Sequence, residues 1–198
     1  TIQLAMNNID FDVDWGSDAG ADLHGSDFHG ANLKGRNFSR ADLSAANLQG
    51  ASLKGANLQS ANLSNADLQE AQIKGSNLNL ADFSNANLDR AELKGVNASH
   101  AIFANASMND ASLRSGNFEV ADFADAEMVA INLRDVNAAH ANFENANMDD
   151  GNLRGGNFNS VNFENARLQG AGLRNGNFQH AHFNGANLAD ASLREANF

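Results

Sequence analysis

The groups in this sequence able to do chemistry are 24 carboxylates, 13 lysine and arginine cations and six histidines; there is no cysteine. Without a thiol there is no cysteine nucleophile, disulfide or sulfur-ligated metal, and the redox compartment is left open. The histidines could in principle serve as metal ligands or as general bases. Their spacing argues against both. His100, His140 and His180 recur at forty-residue intervals, and His180 and His182 flank Ala181 as at most a weak two-ligand pair. His24 and His29 stand apart from these, near the start. No serine has a histidine and an acid in a recognisable triad motif. Asp149-Asp150 could share a proton only inside a burying pocket, and the sequence around them supplies none. The glycines are scattered and form no phosphate-cradling loop. The expectation is a protein that is not an enzyme, with no catalytic residue, cofactor or metal.

The cations behave differently, because they are ordered. Lys34, Lys54, Lys74, Lys94, Arg114, Arg134, Arg154, Arg174 and Arg194 recur every twentieth residue without exception. Asn37, Asn57 and their equivalents to Asn197 keep the same period. A row of cations suits an anionic polymer or the acidic surface of a second molecule. A copied ancestral lysine, left in place by repeat duplication, is the alternative.

The element that positions such rows is visible in a shorter period. From Leu23 to Phe198 every fifth residue is Leu, Phe, Ile or Met at 34 of 36 positions, so the register never slips; Ala98 and Ala138 are the exceptions. Two residues earlier stands Ala at 25 of the 36, which marks a second, mostly small inward position. On an α-helix five residues advance about 500°, so the apolar stripe would rotate about 140° per repeat. On a flat strand an odd period puts successive large residues on opposite faces. The pattern therefore requires a bend in every repeat. Glycine agrees: 11 of the 17 fall at the last position of the five, where a corner needs permissive dihedrals. The twenty-residue recurrence of the cations, of Phe from Phe83 to Phe183, and of Met108, Met128 and Met148 makes four bends one coil.

The motif Ala-(Asn/Asp)-(Leu/Phe)-x-x, as in Ala61-Asn62-Leu63-Ser64-Asn65 and Ala66-Asp67-Leu68-Gln69-Glu70, resembles the pentapeptide-repeat family across about 90% of the chain. The resemblance implies an all-β fold, a right-handed quadrilateral β-helix of about nine coils of 20 residues. Strands stacked about 4.8 Å apart would make it a rod about 40 Å long. Residues 21–198 are expected to form this solenoid. Residues 1–20 break the register and are expected to be an N-terminal starter or capping segment, with Phe11 and Trp15 covering the first core layer; a plain strand is the alternative. At the other end an uncapped last coil offers unpaired edges, so end-to-end dimerisation or stacking through Phe178 and Phe198 is expected.

Sorting residues by face shows unequal charge. The face through residues 21–25 and its equivalents carries Asp22, Asp42, Asp82, Asp122, Asp125, Glu144 and Glu164 and no cation. The next carries Asp27, Asp67, Glu70, Asp89, Asp110, Glu127, Asp149, Asp150 and Asp190 against Arg90 and Arg167. The third holds the basic column against Glu92, Asp135 and Glu195, and the fourth only Arg36, Arg40 and Glu119. With a formal charge of −11 the whole chain repels nucleic acid and anionic membrane, so such contacts need a local patch. No apolar run approaches the roughly 18 residues of a membrane span. Thr1 opens the chain without a signal-like segment, which suggests a processed or trimmed product and assigns no compartment.

Three functions compete. The first is a rigid scaffold for protein–protein interaction or self-assembly. The second is implied by the resemblance. The Qnr-type and MfpA-type members mimic B-DNA in size and charge, bind DNA gyrase or topoisomerase IV, and can protect them from quinolones. The two acidic faces fit that picture. The basic column does not, and the projecting loops of Qnr proteins have no counterpart in the unbroken register. The third is binding of a polyanion or a surface through the Lys/Arg face.

Overall fold

The computed structural model describes residues 17–198. The expected roles of Phe11 and Trp15 therefore lie outside the described residues. From residue 20 onward one local unit repeats: a single bridged residue, an inward large residue, then a two-residue turn. Every bridge is parallel and joins residues twenty apart, as in Asp22↔Asp42, Asn62↔Asp82 and Asn177↔Asn197. The period of the cation row is thus the length of one coil, built from four bridged segments and four turns.

The turn follows from backbone hydrogen bonding. In the unit beginning at Leu63, the Ala66 N–H donates to the Leu63 carbonyl at 3.1 Å, closing a four-residue turn. Asn65, its third residue, has φ 59°, the left-handed dihedral that a type II turn requires there. All fifth positions from Gly20 to Glu195 share this positive φ, whether or not they are glycine. Asn and Asp take many of them, because their short polar side chains tolerate the left-handed region. Between coils the bonds run both ways: Leu63 N–H donates up to Asp82 and Asp82 N–H donates down to Ala61, at 2.6 and 2.9 Å.

The small and large inward residues of each unit form one continuous buried core. Phe83, Phe103, Phe123, Phe143, Phe163 and Phe183 stack with centroid separations of 4.7 to 5.3 Å, close to the spacing of strands in a sheet. The coil rise therefore sets the aromatic stacking distance. The two exceptions to the large-residue rule are resolved by volume. Ala98 and Ala138 follow Val96 and Val136 by two residues, and all four are buried. Phe118, Phe158 and Phe178 instead follow Gly116, Gly156 and Gly176. A Cβ at Gly116 would come within 2.5 Å of the Phe118 ring, so the small residue is what admits the large one. In this column the two inward residues of a pentapeptide trade volume.

The asparagine column forms a side-chain ladder. Asn117, Asn137, Asn157, Asn177 and Asn197 each donate Nδ2–H to the Oδ1 of the asparagine one coil below, at 2.9 to 3.3 Å. The same Oδ1 often accepts from the N–H two residues on, as Asn157 does from Asn159 at 3.3 Å. These columns hold the backbone together.

The two phenylalanines grouped as an end contact are not equivalent. Phe198 is 58% exposed, whereas Phe178 is 1% exposed because the coil of residues 179–198 covers it. Their rings stack at 5.5 Å. Phe178 is a core residue.

Candidate interaction surfaces

Outward side chains leave this rod from flat or convex ground. Among the described residues no three of His, Asp and Glu are placed to hold a metal ion. One recess of about 300 Å³, lined by Ala19, Gly20, Ser39, Arg40, Asn57 and Gln59, is open and mostly polar. Asp149 pairs with Arg167, and Asp150 is exposed. No helix among the described residues is long and apolar enough to cross a membrane.

The basic column is displayed as a ladder. Eight of its nine rungs are exposed and Arg114 is half-buried. Arg134 reaches Asp135 at 3.1 Å and Arg194 reaches Glu195 at 3.4 Å, each its own chain neighbour. Arg174 donates Nε–H to Ser192 Oγ at 2.7 Å. Lys34, Lys54, Lys74, Lys94 and Arg154 have no carboxylate within 4.0 Å among the described residues. Beside the four lysines stand Gly35, Gly55, Gly75 and Gly95, with open space where a side chain would be, so this half of the face is smooth as well as basic. The stacking that aligns the rungs also holds like charges about 4.8 Å apart.

The acids divide by their place in the repeat. Asp22, Asp42, Asp67, Asp82 and Asp122 occupy the bridged position, where a carboxylate oxygen accepts from the N–H two residues on, at 2.8 to 3.2 Å. Asp89 and Asp149 instead accept from the N–H of Asn109 and Gln169, one coil up. Asp125 and Glu127 accept only from the amides of Asn145 and Asn147. Asp110, Asp150, Glu144 and Glu164 have no such engagement among the described residues. The sequence reading placed all of these acids on two adjacent faces, and the bridges join residues of the same face in successive coils. It did not separate the turn-capping acids from the others.

Asp42 shows what capping does to a carboxyl. The Ser44 hydroxyl donates to it at 2.6 Å and the Ser44 N–H at 3.0 Å. These bonds, helped by His24 and the Asn62 amide, stabilise the ionised form and hold its pKa below the ordinary 3.8 against a small opposing effect of burial.

One surface escaped the sequence reading. Leu80, Ile102 and Val120 are exposed aliphatic residues in consecutive coils at the corner between the fourth and first faces. The signal was available: Leu80 and Val120 stand at a turn position, and Ile102 interrupts a column otherwise filled by Asp, Asn and His.

With the geometry in hand, comparison with known proteins is decisive for the fold. A family model described as a pentapeptide repeat region matches residues 21–98. A second, described as pentapeptide repeats in eight copies, matches residues 91–128, 117–155, 126–165 and 162–198. The chain belongs to the pentapeptide-repeat family. Among solved structures, this family member is similar to full-length QnrB1, a plasmid-mediated fluoroquinolone resistance protein. Identity is 22%, coverage 87% of this chain and 88% of that one, and the TM-score 0.78. A trypsin-treated variant of QnrB1 is similar at 22% identity, over 81% and 89% of the two chains, with a TM-score of 0.71. At that identity the likeness is one of fold, a right-handed β-helix solenoid. No curated protein matches the chain.

Proposed function

We propose that this pentapeptide-repeat protein is a non-enzymatic rigid scaffold, a quadrilateral rod of about nine coils that binds another protein along its ordered faces. One observation carries the reading: the outward columns are held in register by coil-to-coil hydrogen bonds, and the recess beside Ala19, Gly20 and Arg40 is open and mostly polar. Such a surface is built for extended contact, and catalysis needs an enclosed, desolvated site.

A second, finer reading is a DNA-like decoy for gyrase or topoisomerase IV. It is supported by the acidic first and second faces, which meet along one edge, and by the likeness in fold to QnrB1. The basic ladder on the third face speaks for a different use of that side, binding of a polyanion. Light scattering of the purified rod with gyrase or topoisomerase IV, at low and high salt, tests the decoy reading. The expected result is a discrete, salt-sensitive complex weakened by Asp82→Asn, Asp122→Asn, Glu144→Gln and Glu164→Gln together. The two asparagines keep the turn cap, as Asn62 and Asn142 do in the same column, so only charge changes. The absence of any complex would remove the decoy reading and leave the general scaffold.

A further inference from the structure

We infer that the corner formed by Leu80, Ile102 and Val120 is a docking site for a basic, aliphatic-rich segment of a partner protein. The inference rests on the scaffold reading and names the chemistry of one contact.

The corner stands out because it defies what local structure asks of its residues. Leu80 and Val120 occupy the turn position with φ 60° and 58°. That region suits Gly, Asn or Asp and is taken elsewhere by Ala, Ser, His, Arg and Glu, but Val120 is the one β-branched residue at this position among the described turns, and Leu80 is the one other large aliphatic. Solubility does not ask for them either, since they are 54% and 43% exposed. Ile102, 40% exposed, takes the place of a turn-capping Asp or Asn. One coil below it Asp82 accepts from Ser84 N–H at 2.8 Å, and one coil above Asp122 accepts from Ala124 N–H at 3.1 Å. Isoleucine has no oxygen to offer Ala104 N–H. Three such residues thus lie at one corner over three successive rises, Leu80 and Val120 two rises apart with the exposed His100 between them, and the other large exposed apolar residues among the described ones, Leu193 and Phe198, belong to the last coil. Departures from local preference that gather in space mark a site that function retains.

The pairing of coils brings them together. Leu80 N–H donates to Ser99, His100 N–H to Glu119 and Val120 N–H to Ala139, so residues 80, 100 and 120 stack along one edge. Ile102 lies two residues past His100 on the first face, bridged to Asp82 and Asp122. Ala104 and Ala124, both half-buried, extend the apolar ground on that face.

The rim decides the occupant. In these three coils the two faces carry Asp82, Glu119, Asp122 and Asp125 and no lysine or arginine. A second copy docking the same corner would set these acids against their own counterparts, which is repulsive. A segment with aliphatic side chains between lysines or arginines satisfies both the centre and the rim.

The test uses the full chain and a short synthetic peptide of alternating lysine and leucine, with an equally long oligolysine and an alternating glutamate–leucine peptide as controls. Binding is read by fluorescence anisotropy on labelled peptide, and folding by thermal denaturation. The expected result is that the lysine–leucine peptide binds more tightly than either control. Substituting Leu80→Asn, Ile102→Asn and Val120→Asn together should then weaken it by about tenfold or more while the melting temperature holds or rises. Oligolysine, held by charge alone, should bind the triple variant as it binds the wild type. Undiminished binding of the lysine–leucine peptide by the folded triple variant would overturn the inference and leave the scaffold reading intact. Wild-type self-association abolished by the same three substitutions would also overturn it, by making a second copy the occupant. Failure of the scaffold reading would show separately, as a rod that forms no complex with any protein along its faces whether or not it binds the lysine–leucine peptide.

Discussion

At the residue scale, the turn position and the bridged position each select side chains for a stated reason, and departures from either have measurable consequences. Val120 holds a left-handed dihedral that disfavours a β-branched side chain. Val120→Asn should therefore stabilise the fold by about 1 kcal/mol, read as an upward shift of the urea midpoint without change in slope. The bridged position works through hydrogen bonds to ionised carboxylates. For Asp42 the folded-state pKa lies below its unfolded value of 3.8, chiefly because of the Ser44 hydroxyl. Its contribution is thus fully present above that value and is lost as pH falls through the lower folded pKa. A carboxyl NMR titration should place Asp42 below 3.8, and Ser44→Ala should move it back up. A titration unchanged by Ser44→Ala would refute the assigned cause.

Packing volume is decided at the scale of the pentapeptide. The pairs Val96 with Ala98 and Gly116 with Phe118 fill similar space with opposite divisions of volume. Gly116→Val by itself drives a side chain into the Phe118 ring and should destabilise by about 1–3 kcal/mol. Phe118→Ala by itself leaves a cavity and should lose about 3–5 kcal/mol. The double variant recreates the Val96–Ala98 arrangement, so it should be more stable than the sum of the singles predicts, by about 1 kcal/mol or more. Additive losses in a denaturation cycle would show that the pentapeptide is not the packing unit. The tilted contacts of Phe118 with Phe103 and Phe123 limit full recovery, because the rings at 6.2 and 5.8 Å lose a neighbour.

For the whole molecule the dominant fact is an uneven field. A basic ladder runs along the third face, and the first and second faces are acidic. Like charges one coil apart repel by about 1 kcal/mol in water, an energy that salt screens. Lys54→Gln with Lys74→Gln should raise stability at low salt by a few tenths of a kcal/mol, a gain that vanishes near 1 M salt. The same pair, with Arg114→Gln, should weaken heparin binding and flatten its salt dependence; heparin binding untouched by these changes would exclude the ladder as a polyanion site. The rungs differ in availability, since Arg134 and Arg194 have carboxylate neighbours and the four lysines have none among the described residues.

The sequence by itself determined the repeat, the coil length, the identity of every inward position and the place of each turn. It could do so because in a solenoid each residue meets the residue a fixed number of places away, so periodicity along the chain is adjacency in space. Leu63, Phe83 and Phe103 are core neighbours for no other reason than their twenty-residue spacing. Ala98 and Ala138 stood as exceptions in the sequence and were accounted for only by their buried partners Val96 and Val136. What required the tertiary structure were facts of orientation and of neighbours across coils. Asp82 and Glu144 look alike as charges on one face, but only the bridged residue points its carboxylate at its own turn. Phe178 and Phe198 share a column, but one has a coil above it. Leu80, Ile102 and Val120 are forty residues apart end to end, at two different positions of the repeat, and no single period joins them. They meet because a right-handed coil brings the end of one face against the start of the next, one rise at a time.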